Sequence, residues 1–323
     1  MKTIPDSEQA RIRKWAEKMD HDVTLRYATA DHPMDDTFKA FANQLTELAP
    51  CVHLKKDGDA LVRLPALFVG PHKTYQALPL NRELEPFLTA LGDASAFADQ
   101  LAKGVREQLD RLEVPAMTKV YITPHCPFCP TVVSLLLGLA AASDRVRLSI
   151  IDGELFPDEA QKDRVSAAPT IILDDQFRWT GSVDANELVT MMLDRDPAGL
   201  GADALQGLIE DGDAQGVAQM MADNGTLFPA FFKLLTHPRW SVRLGAMVTF
   251  ETLVELDPQL AAQVVDPIIS CFGDVDDMVK GDLLHVVGES GNPAAMPFLK
   301  SVASDAEDEE VRDAAIEAIE KLN

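Results

Sequence analysis

The sequence predicts a mixed α/β protein followed by an all-α array: two copies of one small α/β plan, then a stack of helix pairs. Three observations carry this reading. The order strand, helix, strand, strand, strand, helix occurs twice before about residue 196, the strand signal disappears from about Pro197, and beyond it one apolar helical face recurs three times. A chain of 323 residues has room for two or three domains. We expect them at 1–94, 95–198 and 199–323.

The first copy is led by a short helix over 5–20, with Trp15 and Met19 on one face. Asp22–Ala28 is strand-like, and Asp36–Leu48 places Phe38, Phe41, Leu45 and Leu48 at helical spacing. Cys51–Leu54, Leu64–Gly70 and the segment around Tyr75 supply three more strands, and Asn81–Leu91 a closing helix. Ser95–Leu112, with Phe97, Leu101, Val105 and Leu109 every four residues, predicts one connecting helix.

The second copy runs through a strand at Met117–Thr123, a helix at Cys126–Ala142 and a strand at Val146–Ile151. A strand pair, Ala167–Leu173 and Phe177–Thr180, turns at Asp174-Asp175, and Asp184–Leu193 closes the copy as a helix.

In the third region Val242, Val279 and Val311 serve as anchors, each followed by a basic residue (Arg243, Lys280, Arg312). Small or apolar side chains recur four residues on (Ala246, Leu283, Ala315) and eight residues on (Phe250, Val287, Ile319). Each anchor follows an apolar helix with an early proline (Pro229, Pro267, Pro297), where proline fits the first turn. A single such pair cannot bury its face, so the pairs must stack as a solenoid, and 202–224 has the length of a shorter capping pair.

Charge excludes some classes of partner. The chain carries 29 Lys and Arg against 52 Asp and Glu, a net −23 that repels nucleic acid and anionic lipid surfaces. A charged start without an apolar core argues against a secretory signal, and no uncharged apolar run reaches membrane-spanning length, so a cytoplasmic protein is expected. The acidic runs at 274–277 and 305–310 lack the spaced ligands of a calcium loop and are expected to be solvated turns.

The chemistry concentrates in Cys126-Pro127-Phe128-Cys129, after a predicted strand and at the start of a predicted helix. A helix amino terminus favours a thiolate, which predicts Cys126 as nucleophile and Cys129, one turn on, as the thiol that resolves a mixed disulfide. Pro127 is pre-set for a first helical turn and Phe128 offers an apolar rim to a peptide. Ala168-Pro169-Thr170 opens a strand, and a cis bond at Pro169 is expected to bring the Ala168 backbone beside the dithiol to pair with a substrate strand, with Pro169 and Thr170 also expected to contact the substrate.

Together the CPFC motif, the following helix and strand, Ala-Pro-Thr, the strand pair and Gly181 resemble the thioredoxin and glutaredoxin superfamily over 115–196. The duplicated form over 22–196 is similar to the two-domain protein disulfide oxidoreductases and to the amino-terminal redox module of the alkyl hydroperoxide reductase flavoprotein. The helices over 225–323 resemble HEAT repeats. The fold class expected is therefore tandem thioredoxin-like folds followed by a HEAT-like solenoid.

This resemblance implies a redox-inactive first fold, consistent with Asp31-His32-Pro33-Met34 where its dithiol would stand and with Pro65 at its matching strand start. It implies that an acidic residue opening the first fold's last helix, here Glu83, tunes the dithiol. It also implies protein disulfide clients, a peroxiredoxin among them, and a separate flavoprotein or other thiol reductase as donor. No Gly-x-Gly-x-x-Gly follows a strand, so no flavin or nicotinamide site, and no cofactor beyond the dithiol, is expected.

Four alternatives stand beside this reading. A structural zinc site would need ligands that Cys51 and Cys271 do not supply in paired spacing, and both are expected to be small core residues. Glutaredoxins with a CPFC or similar sequence use glutathione or bridge an iron–sulfur cluster, and Gly181-Ser182-Val183-Asp184 faintly resembles their glutathione-carboxylate loop, while His125 could bias the thiolate when charged. Finally, the chain could be an adaptor whose HEAT-like surface binds a protein partner while the dithiol senses redox state.

Overall fold

The computed structural model describes residues 3–56 and 64–322 and divides into two compact units, Met1–Arg195 and Asp196–Asn323. Unit 1 contains both α/β copies, with β1 (Val23–Ala28), β2 (Val52–Lys56), β3 (Ala66–Val69) and β4 (Lys73–Gln76) in the first, and β5 (Ala116–Ile122), β6 (Val146–Asp152), β7 (Thr170–Leu173) and β8 (Phe177–Thr180) in the second. All eight form one sheet in the order β2-β1-β3-β4-β6-β5-β7-β8. Each copy therefore has the same strand order, with a parallel pair (β1 with β2, β5 with β6) and an antiparallel hairpin (β3 with β4, β7 with β8). The copies join by parallel pairing of β4 with β6, Tyr75 opposite Ile150.

The helices of unit 1 are α1 (Asp6–Ala16), α2 (Asp35–Leu48), α3 (Leu84–Asp93), α4 (Ser95–Ala98), α5 (Lys103–Leu109), α6 (Cys129–Ala142), α7 (Pro157–Lys162) and α8 (Ala185–Asp194). α2 buries Phe38, Phe41, Ala42, Leu45 and Leu48 on the stripe its spacing predicts. Phe41 and Tyr75 both meet Phe87 of α3 edge-on, with centroids 6.1 and 5.1 Å apart. The hairpin between β7 and β8 turns through Asp174 (φ 53°) and Asp175 (φ 62°), the paired left-handed conformation of a tight hairpin turn.

Three elements differ from expectation. The helix expected over 95–112 is broken into α4 and α5, with Ala102 extended between them (φ −57°, ψ 143°). A four-residue repeat overshoots the helical turn by roughly 40° at each step, so a straight helix would rotate the stripe out of the core. The break resets it, and Phe97, Leu101, Val105 and Leu109 are all buried. The helix expected from Cys126 begins at Cys129 instead, because a proline at 127 disfavours helical geometry in the residue before it. α7 lies outside the expected elements, since its six residues present no periodic stripe and only Ala160 is buried.

Unit 2 is all helix: α9 (Ala202–Glu210), α10 (Ala214–Asn224), α11 (Phe231–Leu235), α12 (Trp240–Leu256), α13 (Pro258–Ala261), α14 (Val265–Cys271), α15 (Asp277–Glu289), α16 (Met296–Asp305) and α17 (Glu309–Lys321). The anchors Val242, Val279 and Val311 are buried, as are Ala246, Leu283, Ala315, Phe250 and Val287, while Ile319 is half-buried beside buried Ala318. The acidic turns cap helices: Asp276 accepts from Val279 N–H at 2.9 Å and Asp308 from Val311 N–H at 3.0 Å. The two arginines that follow an anchor fold back onto the preceding turn, whereas Lys280 pairs with Asp277 on its own helix. Arg243 Nη1 donates to the carbonyls of His237 and Pro238 at 2.8 and 3.0 Å, and Arg312 Nη1 to those of Ala306 and Glu307 at 2.7 and 3.0 Å.

Arg195, the last residue of unit 1, is buried and pairs with Asp174, while Nη2 donates to the carbonyls of Val114 and Pro115 at 2.8 and 2.6 Å. It ties the end of α8 to the entry of β5. No helix among the described residues is long and apolar enough to cross a membrane.

Candidate active site

Three loops meet beside the ends of β5, β7 and β8. β5 delivers the chain to Cys126, which is non-helical, and α6 starts at Cys129 with Pro130 in its first turn. The two cysteines form a disulfide with Cα atoms 5.5 Å apart. The Cys129 N–H, the first amide of a 14-residue helix, donates to Cys126 Sγ at 3.0 Å. Negative charge on that sulfur thus meets both a donor and the positive helix end. Cys126 is 8% exposed and Cys129 0%, so only the first sulfur can be reached from solvent. Pro127 is exposed, and Phe128, which lies between the two cysteines in sequence, is 70% exposed, an apolar ring held in water.

The second loop brings the Ala168 carbonyl oxygen 3.6 Å from Cys126 Sγ, and the Ala168–Pro169 peptide bond is cis. The half-buried Ala168 has no hydrogen bond at its N–H among the described residues, so that donor is open. The third loop is tied in by Gly181 N–H, which donates to Pro169 O at 2.8 Å. Thr170, expected to face a substrate, is turned inward. It is 1% exposed and its hydroxyl donates to Ala167 O at 2.7 Å, because β7 lies between β5 and β8 and is buried along its whole length.

Glu83 immediately precedes α3 and is 3% exposed, with no hydrogen bond to either carboxyl oxygen among the described residues. Burial, and then the charge of Asp152, push its pKa up to about 7. α3 and α6 pack together, and a groove of about 560 Å³ lies between them, lined by Arg82, Glu85 and Pro86 from the start of α3 and by Pro130 and Thr131 immediately after Cys129. The chain around Glu83 is thus beside the start of the dithiol helix, although no hydrogen bond joins Glu83 to a sulfur.

Asp152 escaped the sequence reading. It ends β6 opposite Ile122, is 2% exposed, and accepts from the N–H groups of Glu154 and Leu155 at 2.9 and 3.2 Å. Burial raises its pKa and those two donors offset part of the rise. A carboxylate closing an apolar strand run just before glycine (IIDG) was the available signal.

In the first copy the matching loop has no thiol. His32 accepts the Met34 N–H on Nδ1 at 3.1 Å and its ring packs on Phe156 of the second copy, centroids 5.1 Å apart. The Leu64–Pro65 bond is not cis, so the substrate-side geometry of the second copy is absent here as well. Cys51 and Cys271 are free, half-buried thiols whose pKa burial pushes up. No group of three or more His, Cys, Asp or Glu among the described residues is placed to hold a metal.

Comparison with known proteins agrees with this architecture. Residues 117–194 match a thioredoxin domain model and residues 228–320 a HEAT repeat model. Over 187 residues the chain is 22% identical to the alkyl hydroperoxide reductase AhpF of Staphylococcus epidermidis, covering 56% of this chain and 36% of that protein. The chain thus spans little more than a third of the curated relatives it matches. Among solved structures, the NTD_N/C domain of alkylhydroperoxide reductase AhpF from Enterococcus faecalis (V583) superposes with a TM-score of 0.50 at 16% identity, covering 58% of this chain and 99% of that one. A protein disulfide oxidoreductase from Aeropyrum pernix K1 gives 0.51 at 16%, covering 58% and 92%. The chain therefore carries a tandem thioredoxin-like α/β unit followed by HEAT repeats, and its first unit is similar to the amino-terminal region of the alkyl hydroperoxide reductase AhpF.

Proposed function

We propose that the chain is a thiol–disulfide oxidoreductase that passes two electrons from its Cys126–Cys129 dithiol to a protein disulfide. The observation that carries this is the pairing of a reachable Cys126 Sγ, held by the Cys129 N–H, with a fully buried Cys129. The Cys126 thiolate attacks one sulfur of the client disulfide, forming a mixed disulfide and expelling a client thiolate. The Cys129 thiol loses its proton, attacks Cys126 Sγ, forms the internal disulfide and releases the second client thiolate. The client takes up two protons, one from Cys129 and one from solvent. Ala168 pairs its open backbone with the client strand, cis Pro169 and inward-turned Thr170 hold that loop, and Pro127 and Phe128 form the apolar contact surface.

Glu83 accepts or returns the Cys129 proton in this scheme. A carboxyl group titrating at about 7 is matched to proton transfer near neutral pH. Electrons return to the dithiol from a separate flavoprotein or other thiol reductase, and a peroxiredoxin is the client that the likeness to alkyl hydroperoxide reductase suggests. We place the reaction in the cytoplasm, in keeping with two free cysteines. The HEAT repeats dock a protein partner in this account. Trp240, Leu244 and Val248 support it, exposed at 56%, 39% and 45% and one turn apart on α12.

The test is reduction of a model protein disulfide with excess small dithiol, comparing the native chain with Cys126→Ser. Turnover well above background that is lost in the variant is the expected result. Native turnover at background would leave the adaptor reading instead.

A further inference from the structure

The charge of the chain is unevenly placed. Residues 196–323 carry 7 Lys and Arg against 23 Asp and Glu, so unit 2 holds −16 of the net −23. Much of this lies in two turns, before α15 and before α17, where capping uses one carboxylate each, Asp276 and Asp308. The repeat itself does not demand the rest, since the equivalent turn before α12 reads His237-Pro238-Arg239.

Between the two acidic turns lies a groove of about 500 Å³ with an apolar floor. Phe272, which follows α14, and Phe298 of α16 meet there edge-on, ring centroids 5.0 Å apart and planes at 90°, and both are half-buried. Val302 and Val311 extend this floor. Asp305 and Glu307, both exposed, stand on its rim. Asp305 accepts only from the hydroxyls of Ser301 and Ser304, and the Glu307 carboxylate has no partner among the described residues. Lys280 is the one cation in the lining, and it already pairs with Asp277 at 2.8 Å. Met278, the next residue after Asp277, is 69% exposed.

An aromatic floor under an uncompensated acidic rim matches one kind of side chain. Arg and Lys lay an apolar stem on such a floor, set their charge against an aromatic ring and still reach a carboxylate. An acidic segment meets repulsion in the same place, and a purely apolar one leaves the rim without a counter-charge.

We propose that this groove docks a basic segment of a partner protein, an Arg or Lys with an apolar neighbour, the stem on Phe272 and Phe298 and the charge at Asp305 and Glu307. This rests on the docking role given to the HEAT repeats above and adds a place and a partner chemistry besides the apolar stripe of α12.

The test selects peptides from a random display library against the full chain and measures the enriched ones by fluorescence anisotropy. The expected peptides carry Arg or Lys beside Leu, Ile, Phe or Trp, bind more weakly as NaCl rises from about 0.05 to about 0.5 M, and lose about tenfold in affinity to an Asp305→Lys/Glu307→Lys variant with an unchanged melting temperature. Cys126→Ser protein should bind them as the native chain does, which separates this result from the disulfide assay. Enriched peptides without a basic residue, or equal affinity for the double variant, would overturn the proposal. Binding lost in Trp240→Ser and kept in the double variant would overturn the groove and leave the docking role in place, whereas no enriched peptide at all would overturn both. A dimer of the native chain in sedimentation, absent in the double variant, would give the groove to a second copy and also overturn the proposal.

Discussion

Cys126 and Cys129 differ because Pro127 keeps the first out of the helix and the second is that helix's first residue. This asymmetry was legible from four letters and their place after a strand, even though the helix start was misplaced by three residues. Glu83 was legible only through resemblance, since nothing in PLNRELEPF distinguishes a buried carboxyl from a solvated one. Its burial predicts a pH effect of definite sign. The folded state raises the Glu83 pKa from 4.5 to about 7, so the folded protein holds a proton that the unfolded chain releases. Stability from this group is therefore full below pH 4.5, falls as pH rises from there to about 7, and is lost above. Glu83→Gln should abolish this fall, becoming more stable relative to the native chain by about 3 kcal/mol between pH 4 and pH 8 at 1.4 kcal/mol per pKa unit. Urea denaturation at the two pH values checks it.

At the scale of elements, periodicity located every strand and most helices, and failed where tertiary demands interrupt a local pattern. The expected helix over 95–112 breaks because its four-residue repeat cannot stay on one side of a straight helix, and α7 has too little buried surface to mark itself. In unit 2 the Val-Arg/Lys anchors announced a repeat without saying what the basic residue does. Arg243 is 1% exposed, binds two turn carbonyls and pairs with the half-buried Asp282, so Arg243→Ala leaves that carboxylate and two carbonyls without their donor. The expected cost is about 2 to 3 kcal/mol. Arg312 makes the same two backbone bonds from a half-buried position, so Arg312→Ala should cost about 1 kcal/mol. Gly288 tests the packing of α15 on α17. An added Cβ would sit 2.9 Å from the Ala318 Cα, and Gly288→Ala should destabilise by about 1 to 3 kcal/mol. Thermal or urea unfolding of these three variants reads the differences.

For the whole molecule, duplication was visible as a repeated element order, but fusion of the copies into one sheet was not. The pairing of β4 with β6 depends on which edges are left free, and short strands such as KTYQ do not encode their neighbour. The consequence is a unit that ends at Arg195, with every proposed site residue inside it. A fragment of residues 1–195 should fold and reduce a small disulfide at the rate of the full chain, while losing rate on a client that needs the HEAT repeats; loss of both activities in a folded fragment would contradict this division of labour. The central claim is that Cys126 is the attacking thiol and Cys129 the resolving one. Its most direct measurement is to mix reduced Cys129→Ser protein with a disulfide peptide and locate the covalent adduct by peptide mass spectrometry. The account predicts a stable mixed disulfide on Cys126, and an adduct on Cys51 or Cys271, or none, contradicts it.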